Sequence, residues 1–249
     1  MILKTALQSV GIIGLLTAIP SSAQAQKPTT SPVSKAPIIN VRPQTKPIQY
    51  DKTKTSAQLS SLQSNTISPY GLGVDQTTGG LRHDQPTMSI QMKFNIVTAP
   101  QTQTVCLSYD TINVDIKLQP KIYIAKEFNT GRCAREVLEH EKKHVNVDRK
   151  VINKYTRLMG LAIQKAVNSV GPVGPFPVSR SEELQKMMSG HIESALASVQ
   201  LSMTNEMNTR QQQVDSLEEY ERVGQYCEKN SERVFKARQK AEQREQRRR

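Results

Sequence analysis

From Arg132 to Val167 the apolar residues Ala134, Val137, Leu138, Val145, Val151, Ile152, Tyr155, Met159, Ala162, Ile163 and Ala166 recur at helical spacing. At about 100° per residue they fall on one broad stripe, which predicts a single long helix with one face on the core. The stripe is not purely apolar. Glu141 and His144 fall within it, His140 at its edge and Asp148 near its middle, while Lys143 points the other way and Lys142 lies on the flank. Polar side chains on a core-facing stripe are costly unless they are paired or bind metal. A solvated charged surface would instead group His and Glu with the lysines.

His140-Glu141-Lys142-Lys143-His144 has the form His-Glu-x-x-His. Two histidines four apart on a helix lie one turn apart on the same side. They can grip one zinc ion, and the intervening glutamate can act on a water that the metal activates, which is the core of a metallopeptidase site. A catalytic zinc needs three protein ligands and one open position. Asp148 is too close along the same helix to reach such a metal, and reads as an acceptor for a histidine N–H. A salt bridge to a nearby Lys or Arg is its competing role. The third ligand is sought in Arg210–Tyr220, where Asp215 and Glu219 are four apart and share a face. Either can close the site; a solvent-facing acidic patch is the competing reading. Of the four histidines, His83 and His191 read as incidental surface residues, with His191 a fallback ligand.

Met1 to Ala25 reads as a secretory signal peptide: Lys4, an apolar run from Val10 to Ile19, Pro20, and the small-x-small site Ala23-Gln24-Ala25. The run is too short for a membrane anchor, and no transmembrane segment is expected in the mature chain. The protein is therefore expected in the periplasm or outside the cell. That compartment permits a disulfide among Cys106, Cys133 and Cys227. Cys106–Cys133, joining a strand to the start of the motif helix, is the favoured pair. Cys133–Cys227, pinning the C-terminal helix to the motif helix, is the alternative.

Residues 26–80 read as a disordered Pro/Thr/Lys-rich linker or pro-segment, because residues 26–60 carry five prolines among polar residues. Residues 81–230 form the expected α+β domain, with strands around 88–96, 104–109, 112–118 and 121–125, then the motif helix. Gly171–Pro177 reads as a rigid loop. From Ser181 onward the chain reads as helix almost throughout, with Gly190 as a plausible break. Residues 231–249 form a basic tail. The net charge of +12 lies mostly in the linker and this tail, which suits an anionic envelope surface better than a nucleic-acid groove. Aromatic residues are 4% and tryptophan is absent, which argues against stacking platforms for single-stranded nucleic acid.

The signal peptide, the His140-Glu141-x-x-His144 helix and the later Arg210-Gln211-x-x-Val214-Asp215-x-x-Glu218-Glu219 together resemble bacterial secreted zinc-dependent proteases of the DUF922 type. The resemblance covers roughly residues 85–225. It implies a zincin-like fold: a small, mainly antiparallel sheet, the motif helix, and a long C-terminal helical region. It implies Zn²⁺ held by His140 and His144, Glu141 as catalytic base, and a peptide or protein substrate. Where related sequences carry a histidine after the aspartate, this chain has Glu219 or Tyr220. By analogy Glu219 becomes the expected third ligand, with Asp215 as runner-up. The competing function is a non-catalytic envelope protein whose apolar seam, Leu184 to Met207, binds a partner.

Overall fold

The computed structural model describes residues 35–62, 66–71 and 77–247; the expected signal peptide lies outside them. The fold is α+β. Strands β1 (Ile38–Thr45) and β2 (Gln49–Asp51) and the short helix α1 (Ser56–Ser60) come first. Next come β3 (Gly80–His83), β4 (Thr87–Ala99), β5 (Thr104–Leu118) and β6 (Lys121–Ile124). Helix α2 (Gly131–Val170), strand β7 (Val173–Pro177), and helices α3 (Ser181–Val214) and α4 (Leu217–Gln246) complete it. Among the described residues no helix is long and apolar enough to cross a membrane.

The strands make two mixed sheets, where one small sheet was expected. In the first, β5 lies between β1, which is parallel to it, and β4, which is antiparallel, and β7 also pairs with β5. In the second, β6 pairs parallel with β2 and antiparallel with β3. The strands expected at 104–109 and 112–118 are one strand, β5. Its register against β4 slips where Lys93 pairs with Thr111 and Phe94 with Tyr109, leaving Asp110 unpaired. That bulge shifts the inward set from Val105, Leu107 and Tyr109 to Ile112, Val114 and Ile116. The phase change looked like a chain break in the sequence.

Over residues 35–62 the linker reading of 26–80 is corrected by β1, β2 and α1. Ile39 and Val41 of β1 pack against the core, and the outward side chains pair across to β5: Asn40 Nδ2 donates to Asn113 Oδ1 at 2.9 Å, and Arg42 Nε to Asp115 Oδ1 at 3.0 Å. Pro43 is tolerated because β1 is an edge strand. Val173–Pro177, expected as loop, supplies β7.

The main core joins the inner face of β5 to α2 (Val151, Ile152, Met159, Ile163) and α3 (Leu184, Met188, Ile192, Leu196). The seam offered for a partner is thus buried within the chain itself. A second cluster joins Ile122, Ile124, Phe128, Val137 and Val145. His140 and His144 lie on α2 between Val137 and Val145 of this second cluster. Gly171, at positive φ and followed by Pro172, ends α2. Helix α3 runs through Gly190 without a break.

Cys133, in the first turn of α2, is bonded to Cys227 of α4, and Cys106 is free. The favoured pairing with Cys106 is corrected by strand alternation. Val105 and Leu107 face the helices, so Cys106 points to the opposite side, where its sulfur lies beside Gly174 of β7. The bond closes a sequence separation of 94 residues. Replacing Cys133 with serine is expected to cost roughly 2–5 kcal/mol. Thermal unfolding with and without reductant will check this: the reductant should lower Tm in the native chain and leave the variant unmoved.

Candidate metal centre

Helix α2 presents His140, Glu141 and His144 inward, all nearly buried. Facing them is the corner between α3 and α4. Asp215 ends α3, and Ser216 starts α4 by accepting a hydrogen bond from the Glu219 amide. This change of direction brings four side chains of one short segment, Gln211, Asp215, Glu219 and Tyr220, against the two histidines.

Asp215 Oδ1 lies 3.2 Å from His140 Nε2 and 3.1 Å from His144 Nε2, and the two Nε2 atoms are 3.2 Å apart. Each ring has a hydrogen-bond acceptor on its far side, at Nδ1. Gln211 Oε1 accepts from His144 Nδ1 at 2.5 Å. The Gln211 amide nitrogen donates to the His144 carbonyl at 3.1 Å and to Asp148 at 2.6 Å, and the reverse orientation would set its oxygen against two oxygens. His140 Nδ1 donates to Glu219 Oε1 at 3.3 Å. With the protons on Nδ1, both Nε2 lone pairs are available to a metal beside the Asp215 oxygen; without a metal, the same Nε2 atoms lie within hydrogen-bond distance of Asp215.

Three lone-pair donors at 3.1–3.2 Å repel one another unless a positive charge lies among them. The edge of a tetrahedron with metal–ligand bonds of about 2.0–2.1 Å is about 3.3 Å, close to each side of this triangle. The donor set, two imidazoles and a carboxylate, fits a divalent metal of the zinc type. His140, His144 and Asp215 thus offer three ligand atoms placed so that they could hold one metal ion. Glu219, the third ligand expected by analogy, is corrected to an outer role. Its carboxylate is at the Nδ1 edge of His140, held by Lys143 at 2.7 Å and Arg222 at 2.9 Å.

The electrostatics agree with that division. Burial alone would raise the Asp215 carboxyl, but hydrogen bonds from His140, His144 and Thr66 hold it well below the usual carboxylate range. Glu219, pushed up by burial, is brought down to about 2 by Arg222 and Lys143. Burial acts to lower the His144 imidazole, and Asp215 and Glu141 override it, so the ring is more basic than usual. The centre attracts positive charge. Glu141 behaves oppositely: burial raises its carboxyl more than the two histidines lower it. It shares a cavity of about 210 Å³ with the triad, and accepts a hydrogen bond from the Arg82 backbone amide. Gly80 makes that approach feasible. A Cβ there would come within 2.5 Å of Val137 and 2.8 Å of Glu141 Oε1.

Asp148 takes the salt-bridge role; the histidine N–H expected to reach it bonds to Gln211 instead. Asp148 accepts two hydrogen bonds from Arg82, at 2.7 and 2.5 Å, and through Gln211 it orients His144. Tyr220 stacks edge-on against His140 at 5.8 Å; burial and then the Asp215 charge raise its phenol, keeping it a neutral donor. His83 and His191 lie outside the centre, the latter bonded to Ser169 at 3.0 Å. Sequence reasoning did not single out Arg82, Gln211, Tyr220 or Arg222. The corner that gathers the last three had a signal: Ser216-Leu217-Glu218-Glu219 is an S-x-x-E capping sequence.

No protein-family profile, curated protein or solved structure matches the chain.

Proposed function

We propose that the protein is a zinc-dependent peptidase of the periplasm or the cell exterior. The triangle of His140 Nε2, His144 Nε2 and Asp215 Oδ1 beside the buried Glu141 carries this reading. Zinc bound there supplies Lewis acidity, activating a water and polarising the peptide carbonyl. Glu141 takes a proton from the attacking water and delivers it to the leaving amine. Its burial favours that proton-accepting role by raising its basicity toward neutrality. Gln211 and Glu219 hold the two imidazoles in the tautomer that binds metal. The Cys133–Cys227 bond accords with an oxidising compartment. The resemblance to DUF922-type proteases rests on the same motif helix.

Metal analysis tests the centre. The purified full chain, prepared without chelator and supplied with zinc, is expected to hold about one zinc per chain, and His144→Ala to hold none. Equal zinc in both would remove the centre, and the peptidase reading with it.

A further inference from the structure

A second cavity, of about 460 Å³, opens beside the metal centre between α2 and α4. His140 and Glu141 stand at one end of it. Its lining also includes the apolar Phe128, Val137, Val223 and Cys227, three of these nearly fully buried, together with the uncharged hydroxyls of Thr77, Thr78 and Ser231. Among its described lining residues there is no Lys, Arg or Asp, so Glu141 and His140 are its ionisable groups apart from two tyrosines. The cavity around the triad shares His140, Glu141 and Tyr220 with it but adds the charged Arg82 and Asp215. The second cavity, with few charged groups, is within the size range of small-ligand pockets, roughly 300–1,000 Å³.

On the α4 side the lining includes Gly224. A Cβ at that position would meet nothing within 4 Å. Helix packing therefore does not require a glycine there, and glycine is a poor residue for a helix interior. A side chain at 224 would project into open space at the pocket wall. The missing side chain leaves room for part of something else.

We propose that this cavity is the specificity pocket of the centre and takes a bulky, uncharged apolar side chain next to the scissile bond, with Gly224 setting its depth. The proposal rests on the peptidase reading, because an extended peptide lying across Glu141 must place one flanking residue over this opening. Leucine or phenylalanine fits its walls. Aspartate or lysine would lose hydration with no partner of opposite charge beyond Glu141 and His140.

The test uses the full chain loaded with zinc and fluorescein-labelled Ser/Ala peptides that differ at one residue: Phe, Leu, Ala or Asp. Binding is read by fluorescence anisotropy on Glu141→Gln, and cleavage by mass spectrometry on the native chain. The Phe peptide is expected to bind at least about tenfold more tightly than the Asp peptide, and to be cut beside Phe. Adding Gly224→Leu, which favours the helix, should bring the Phe-to-Asp ratio to within about twofold of unity while zinc content stays at one per chain. A ratio near unity from the start, or one that Gly224→Leu leaves unchanged, overturns the pocket. Cleavage without preference would do so while leaving the peptidase reading intact. A Phe preference removed by Gly224→Leu, with no cleavage by the zinc-loaded native chain, keeps the pocket and overturns the peptidase.

Discussion

Glu141→Gln will keep its zinc and lose peptide hydrolysis by about 10²–10⁴-fold, the usual contribution of a positioned general base. Glutamine has nearly the same shape and can still accept the Arg82 amide hydrogen bond, so the triad has no reason to move. What it cannot do is take a proton from water. The effect on stability should run the other way. Burial opposes the charged form of Glu141, so the neutral amide should leave Tm unchanged or raise it. A side chain that makes the fold less stable than its isostere, yet sits on the inward stripe of α2, marks a cost accepted for function. Metal content, Tm and turnover measured on one preparation decide the matter. Full activity in the variant would end the proposed role of Glu141, and loss of zinc would make it a structural support instead.

The parts of this molecule that were legible were those where one local pattern acts over many residues. The stripe of α2 is an example: its periodicity predicts helix from Arg132 to Val167 within the observed Gly131–Val170, and also the inward aim of Glu141 and His144. Segments whose structure is set by a distant neighbour were harder to read. Strand β1 carries only Ile39 and Val41 as apolar contributors, with Pro43 next, and its order comes from lying along the edge of β5. Its alternation of Ile39, Val41 and Pro43 with Asn40, Arg42 and Gln44 was visible, but five prolines in the same region outweighed it. The bulge at Asp110 hid the continuity of β5 in the same way, because a half-period slip resembles a turn.

At the candidate site, sequence gave the two histidines and the acidic segment but not the choice within that segment. Asp215 and Glu219 are one turn apart, and a continuous helix would offer them equally. The corner at Asp215–Ser216 breaks that equivalence. It turns Asp215 toward the Nε2 atoms and leaves Glu219 at the Nδ1 edge of His140. Reading Ser216 and Glu219 as a helix start would have separated them. No local signal could supply Arg82, which approaches from β3 across 66 residues.

Arg82 also sets the second large effect. Asp148→Ala will destabilise the protein by about 3–5 kcal/mol, because removing one partner strands a buried charge. Arg82 and Asp148 have side-chain exposures of only 8% and 0%, so little solvent contact is at hand to replace the lost carboxylate. At roughly 2–4 °C per kcal/mol for a chain of this size, the Tm drop should exceed 5 °C. Zinc should also be held about tenfold more weakly, because Gln211 loses the acceptor at 2.6 Å that fixes its amide while its oxygen orients His144. The double variant Arg82→Met, Asp148→Leu separates the two effects. Apolar replacement of a buried pair is often neutral, so Tm should recover. Zinc affinity should not, since the leucine offers Gln211 no acceptor. If both recover together, Asp148 acts only through stability, and the hydrogen-bond path from Arg82 to His144 has no part in holding the metal.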